Sequence, residues 1–224
     1  MIASAVRTTT AVLFDWDGTL VDSRAALLAA WHRSTEAVLG RRFPATAAEE
    51  LEVFTFSGAQ IWPRLAATDA DRDALIETFQ EEYERSSALV RAVPRIVAAL
   101  ADLRKANVAI GVVTSKARRR YVLDARGTGL EELVDVAVCV EDAAATKPDP
   151  TPVIAALGLL DVAPANALMV GDTAVDVAAG IGAGIAVAGV GWGASTAAEL
   201  REAGAGVIFS DPRDLVDLVL RGGA

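Results

Sequence analysis

The chain has 224 residues, 53% of them apolar, with 21 basic against 30 acidic side chains and a formal charge of −9 at pH 7. That composition is globular, and a chain of this length buries enough surface to fold without disulfides or a structural metal, so one domain, or one carrying an insertion, is expected. An acidic chain has no general attraction for phosphate backbones or anionic lipid, which argues against nucleic acid and membrane surfaces as partners.

Residues 1–10 carry one arginine and no apolar stretch long enough for a secretory signal, so the expected location is cytoplasmic. Ala11–Phe14 is a short aliphatic run without alternation, the pattern of a strand buried on both faces. Only helical patterns follow, over 24–39, 47–53, 58–66 and 69–89. About seventy residues without a strand exceed an ordinary crossover, so 23–93 is read as an inserted helical cap, and 1–22 with 94–224 as the core. Then come a helix opened by Pro94 and running to Ala106, a strand at Val108–Val113, and a helix from Lys116 to Arg126 closed by Gly127. A weaker strand at Val136–Val140 precedes a helix at Pro152–Leu159. Strands at Ala167–Val170 and Ile185–Val190 and a weaker one at Val207–Phe209 complete the series. Strand and helix in alternation predict an α/β fold with a doubly wound, Rossmann-like parallel sheet.

Two features have plain explanations. The uncharged stretch 177–198 is long enough to cross a bilayer, but glycines 180, 182, 184, 189, 191 and 193 divide it into helix, turn, buried strand and loop. Cys139, the sole cysteine, lies in an apolar run and is expected to be a buried thiol.

In open parallel sheets ligands sit beyond the carboxyl ends of the strands, and the polar residues fall there. The first strand delivers Asp15 and Asp17, the second Thr114, Ser115 and Lys116, and the third Asp172 and Thr173 with Asp176 beyond; Lys147 lies in a loop ahead of a further helix. Each has a bland reading alone: Asp17-Gly18 as a turn, Asp172-Thr173 as a helix cap, Lys147 as a solvated cation. Together, several carboxylates at one edge need a cation, and an all-oxygen set suits Mg²⁺. A hydroxyl, strand-end amides and a lysine supply an anion cradle, so the combination describes phosphoryl transfer through an aspartyl-phosphate.

The segments Asp15-Trp16-Asp17-Gly18-Thr19-Leu20-Val21-Asp22-Ser23, Val112-Val113-Thr114-Ser115-Lys116, Lys147-Pro148-Asp149-Pro150 and Gly171-Asp172-Thr173 with Asp176 resemble, in order, the four motifs of the haloacid dehalogenase superfamily. The likeness covers the whole chain and places the helical insert as in the subgroup that contains phosphoglycolate phosphatases. It implies that Asp15 attacks phosphorus, that Asp17 protonates the departing oxygen and later activates water, and that Mg²⁺ is held by Asp15, the carbonyl of Asp17 and Asp172. Thr114, Ser115 and Lys147 would bind the phosphoryl group, and Asp176 would hold Lys147 or a metal-bound water. Gly18 would allow close backbone approach to the phosphate, and Thr19 would begin the exit toward the cap.

Having both Asp17 and Asp172 separates the chain from dehalogenases, which release halide without protonation. The expectation is a Mg²⁺-dependent hydrolase of a small phosphorylated metabolite, phosphoglycolate first, acting as a monomer or homodimer. A β-phosphoglucomutase-like isomerase, a pyrophosphatase and a phosphoaccepting signalling domain are the alternatives. In the cap, Arg24, His32, Arg33 and Arg64 could each meet a substrate carboxylate, though a solvated helix face explains them as well. Trp31, Phe54, Phe56 and Trp62 read as bundle core. Arg95 stands where the subgroup usually has glycine, and could alter the hinge or place a charge near the mouth.

Overall fold

Ala11–Phe14 forms β1, a completely buried strand at the middle of a six-stranded parallel sheet, in a computed structural model that describes residues 9–56 and 58–221. Residues 1–8, over which the sequence shows no secretory stretch, lie outside the described residues. Strand β1 pairs with β4 (Ala109–Val113) on one side and β6 (Ala167–Gly171) on the other. With β5 (Val136–Val138), β7 (Ala186–Val190) and β8 (Val207–Phe209) the order is β5-β4-β1-β6-β7-β8. The chain runs from β1 to one side and later returns to the other, so the switch point lies at the carboxyl end of β1.

Alternation along the strands builds two cores. Val12, Phe14, Ile110, Val112, Leu168 and Val170 face one layer, made by α5 (Ile96–Lys105), α6 (Arg118–Thr128) and α10 (Pro212–Arg221). Leu13, Val113, Met169 and Val187 face the other, made by α7 (Thr151–Leu160), α8 (Ala174–Gly182) and α9 (Ala197–Glu202). Apolar residues on both faces explain why the strands read as unbroken aliphatic runs.

The insert consists of α1 (Arg24–Leu39), α2 (Ala47–Thr55), α3 (Gly58–Leu65) and α4 (Asp69–Ser86). Its core is aromatic: the Trp31 ring lies 4.2 Å from that of Trp62 and 4.8 Å from that of Phe79. The chain enters and leaves through β2 (Val21–Asp22) and β3 (Arg91–Ala92), a two-residue antiparallel ladder that has no sequence signature at such length.

Beyond shifts of a few residues at element ends, three boundaries differ from the sequence expectation at residues singled out there. Helix α6 starts at Arg118 and continues through Gly127 to end at Gly129, whose φ of 73° is the left-handed conformation that closes a helix. Lys116 therefore precedes the helix. Helix α5 begins at Ile96, after Pro94 and after Arg95 in the left-handed region at φ 68°. Arg95 pairs with Asp211 and does not line the cleft described below. Strand β5 stops at Val138, and Cys139 opens a short 3₁₀ turn instead of extending the strand. The uncharged stretch resolves into α8, a turn at Gly184, β7 and a loop, and among the described residues no helix is long and apolar enough to cross a membrane.

Cys139 is 1% exposed, and burial pushes its thiol up to about 12. Reactivity requires the thiolate, so native protein at pH 8 should take up no thiol-specific label over an hour, while denatured protein should take up one equivalent.

Candidate active site

The register of the central strands sets the site. Phe14 is level with Val112 on β4 and Val170 on β6, so the next positions along these strands come out together at one edge. Asp15 leaves the sheet with its amide still donating to Val170 O, and Thr114 leaves with its amide donating to Val138 O. The strand then breaks: the amides of Leu20 and Val21 both donate to Trp16 O, while Gly18 N donates to Val21 O. This tight turn frees Asp15 and Asp17 from strand alternation and aims them at different partners.

Lys147 Nζ lies 2.6 Å from Asp15 Oδ1 and 2.5 Å from Asp176 Oδ1. The other oxygen of Asp176 accepts from the backbone amide of Thr173 at 3.0 Å and from its hydroxyl at 2.6 Å, tying Lys147 to the start of α8. The carboxylates of Asp15, Asp172 and Asp176 each bring an oxygen within 4.8 Å of the others, all buried. Burial, with the Asp176 and Asp172 charges, raises Asp15 well above the ordinary carboxylate range against the opposing pull of Lys147. Burial and the adjacent Asp176 push Asp172 up to about 7.

Asp172 is held tightly. Its Oδ2 accepts from Ala194 N at 2.8 Å and its Oδ1 from Thr19 Oγ1 at 3.3 Å. A Cβ on Gly18, which has φ 81°, would stand 2.2 Å from Asp172 Oδ2, and one on Gly193 would stand 2.1 Å from Asp172 Cβ. Gly18 is thus needed for the approach of backbone to this carboxylate. Thr19, completely buried, turns its hydroxyl to Asp172, two residues before the chain enters β2 toward the insert. Gly193, which the sequence offers only as a break in the uncharged stretch, belongs to the site for the same reason.

Asp17 faces a second lysine. Lys116 Nζ lies 2.6 Å from Asp17 Oδ1 and 2.9 Å from Asp124 Oδ2, and Ser23 Oγ also donates to Asp17. Tyr83 of α4 donates its hydroxyl to Asp124 at 2.7 Å. Burial alone would raise Asp17, but Lys116 with Ser23 holds it below its ordinary value. The same carboxylates hold Lys116 charged despite its burial. Placing Lys116 on a helix hid this role, and nothing in the sequence marks Asp124, inside α6, or Tyr83, inside the insert.

Asp15, Asp17, Thr114, Ser115, Lys147, Asp172 and Asp176 all line one cleft of about 390 Å³ between the sheet edge and the insert. The insert contributes Trp31, Phe54, Phe56 and Trp62 to its wall, so these aromatics are cleft lining as well as bundle packing. Arg24 also lines it, pairing with Glu50 at 2.5 Å. Arg33 and Arg64 pair with Glu82 and Glu52 on exposed surface, and His32 contacts Pro44 O and Arg42.

The family described as haloacid dehalogenase-like hydrolase matches residues 12–190. A pyrophosphatase PpaX from Bacillus velezensis is 32% identical over 185 residues, covering 82% of this chain and 83% of that protein. A plasmid phosphoglycolate phosphatase from Cupriavidus necator is 36% identical over 198 residues, covering 82% and 81%. The crystal structure of a hydrolase from Pseudomonas syringae superposes with a TM-score of 0.83 at 26% identity, covering 96% of this chain and all (100%) of the other.

Lys116 neutralises two carboxylates, one of them fully buried, so removing it strands both. Lys116→Met should lower the unfolding free energy by about 3–5 kcal/mol, and Tyr83→Phe, which deletes one hydrogen bond to Asp124, by about 1 kcal/mol. Denaturant titration of the two variants checks the order.

Proposed function

This chain belongs to the haloacid dehalogenase-like hydrolases, and on that footing we propose that it is a Mg²⁺-dependent phosphatase of small phosphorylated metabolites, working through an aspartyl-phosphate on Asp15. The observation that carries this is the separation of the two aspartates: Asp15 sits with Lys147 in the carboxylate cluster, while Asp17, two residues on, is held apart by Lys116 and Ser23.

The donor set suits a hard divalent cation. Three buried carboxylates cluster with one lysine, which pairs with two of them, leaving net negative charge among oxygen ligands, the composition Mg²⁺ prefers. Asp15 and Asp172 would hold the ion together with the main-chain carbonyl of Asp17, Asp176 being engaged by Lys147 and Thr173. When bound, it supplies positive charge that offsets the repulsion between an anionic nucleophile and an anionic phosphoryl group.

In the first half-reaction an Asp15 oxygen forms a bond to phosphorus, the bond to the leaving oxygen breaks, and that oxygen takes a proton from Asp17. The Lys116 contact favours ionised Asp17, so the acid role requires the arriving substrate to weaken it. Thr114 Oγ and the Ser115 amide donate to the phosphoryl oxygens and Lys147 adds its charge, stabilisation that grows as the transition state forms. In the second half-reaction water attacks phosphorus, its proton passes to Asp17, and cleavage of the bond to Asp15 releases phosphate and restores both carboxyl groups. Residues 23–93 act as the cap that shelters the phosphoenzyme from solvent.

Phosphoglycolate is the first substrate to test, supported by the Cupriavidus necator relative; pyrophosphate is the second, supported by the Bacillus velezensis relative. Purified protein with Mg²⁺ should release phosphate from at least one of them, and Asp15→Asn should lower the rate by on the order of a thousandfold or more. Absence of release, or an unaffected Asp15→Asn variant, overturns the reading. Mg²⁺ should also raise the melting temperature of the wild type and leave that of Asp172→Asn unshifted, a readout independent of turnover.

A further inference from the structure

Four basic side chains line the cleft among the described residues: Arg24, Lys116, Arg120 and Lys147. Three have carboxylate partners: Lys147 has Asp15 and Asp176, Lys116 has Asp17 and Asp124, and Arg24 has Glu50. Arg120, projecting from α6, pairs with no carboxylate among the described residues, and its Nε is buried without a hydrogen-bond partner. A half-buried guanidinium left in this state is costly unless an anion completes it.

Its surroundings hold it in place without a direct ion pair among the described residues. The guanidinium carbon lies 4.9 Å from the ring centre of Phe79 and 5.5 Å from that of Tyr83, both on α4 of the insert, so two aromatic faces fix the group by cation–π attraction. Lys116, which pairs with Asp17, stands over the same Tyr83 ring, its Nζ 4.8 Å from the centre. Asp17 is the residue placed against the leaving oxygen, so Arg120, which shares that ring with the lysine of Asp17, lies on the leaving-group side of the cleft.

We propose that Arg120 is the specificity-determining residue of the site, its guanidinium binding an anionic group, carboxylate or phosphate, carried by the leaving moiety. This rests on the phosphatase reading above and narrows it to substrates with a second anionic end. The rest of the wall agrees with a short acidic leaving group. Trp31, Val53, Phe54 and Trp62 give the insert side a largely apolar lining, where the hydroxyls of a sugar phosphate would lose water without equal replacement. Planar, forked donors suit Arg120 to either oxyanion.

The test compares wild type, Arg120→Met and Arg120→Lys on phosphoglycolate, pyrophosphate and p-nitrophenyl phosphate, whose leaving group has no second anion. Arg120→Met keeps an apolar stem against Phe79, and its activity on p-nitrophenyl phosphate reports whether it is folded. Expected is a loss of kcat/KM of at least about 30-fold on the acidic substrate the enzyme prefers, a change below about threefold on p-nitrophenyl phosphate, and partial recovery with Arg120→Lys. Which acidic substrate responds tells carboxylate from phosphate. Equal losses on all three substrates, or no loss on the acidic ones, overturn the assignment. Calorimetric titration of phosphoglycolate and pyrophosphate into Asp15→Asn protein reads Arg120 without turnover: adding Arg120→Met should weaken binding of one ligand at least tenfold, and unchanged affinity for both overturns the proposal. Failure of wild type to release phosphate from any of the three substrates counts against the phosphatase reading, and the titration still decides the role of Arg120.

Discussion

Mutual repulsion among Asp15, Asp172 and Asp176 is the constraint around which the rest is arranged. Three buried carboxylates with oxygens within 4.8 Å of one another cannot all stay ionised without added positive charge. Lys147 supplies part of it, reaching Asp15 and Asp176 from a loop distant in sequence, and Thr173 donates two hydrogen bonds to the other oxygen of Asp176. The third carboxylate, Asp172, is fixed by Thr19 and the backbone of Ala194, with Gly18 and Gly193 packed so closely that no side chain fits between. The charge deficit that remains makes the edge of the sheet receptive to a cation, and with it to an anionic substrate.

A second lysine divides the labour. Lys147 and Lys116 each bridge two aspartates, so Asp15 and Asp17 sit in separate ion-paired halves despite their closeness in the chain. One half is built from core loops and α8. The other reaches across to the insert, because Asp124 accepts from both Lys116 and Tyr83. The Asp17 half of the site is therefore in contact with the insert, while Lys147 and Asp176 pair with core residues.

The parts legible in the sequence share one property: they depend on neighbours in the chain. Strands buried on both faces, the long helical interval and the acidic residues following β1 and β6 all show as local pattern. Legible too was the conjunction of Asp15, Thr114, Lys147 and Asp172, because a parallel sheet brings successive strand ends together whatever their spacing. What escaped depends on contacts that no local pattern records. Lys116 read as the start of a helix because charged residues are common there, yet it precedes α6 and turns inward. Arg120 stood in a run of three arginines, Arg118 to Arg120, and only the packing of α4 distinguishes it from Arg119, which pairs with Glu84. Gly127 has the residue type of a helix end, but Gly129 two residues later takes the left-handed turn.

The ladder of β2 and β3 places the entry and exit of the insert side by side, Val21 opposite Ala92 and Asp22 opposite Arg91. A module whose two ends meet at one point can be exchanged for another of different length or shape while the sheet keeps its register. On such a scaffold the strand ends and the helices above them can diversify separately, except at positions such as Tyr83, which reaches from the insert to Asp124 of the core.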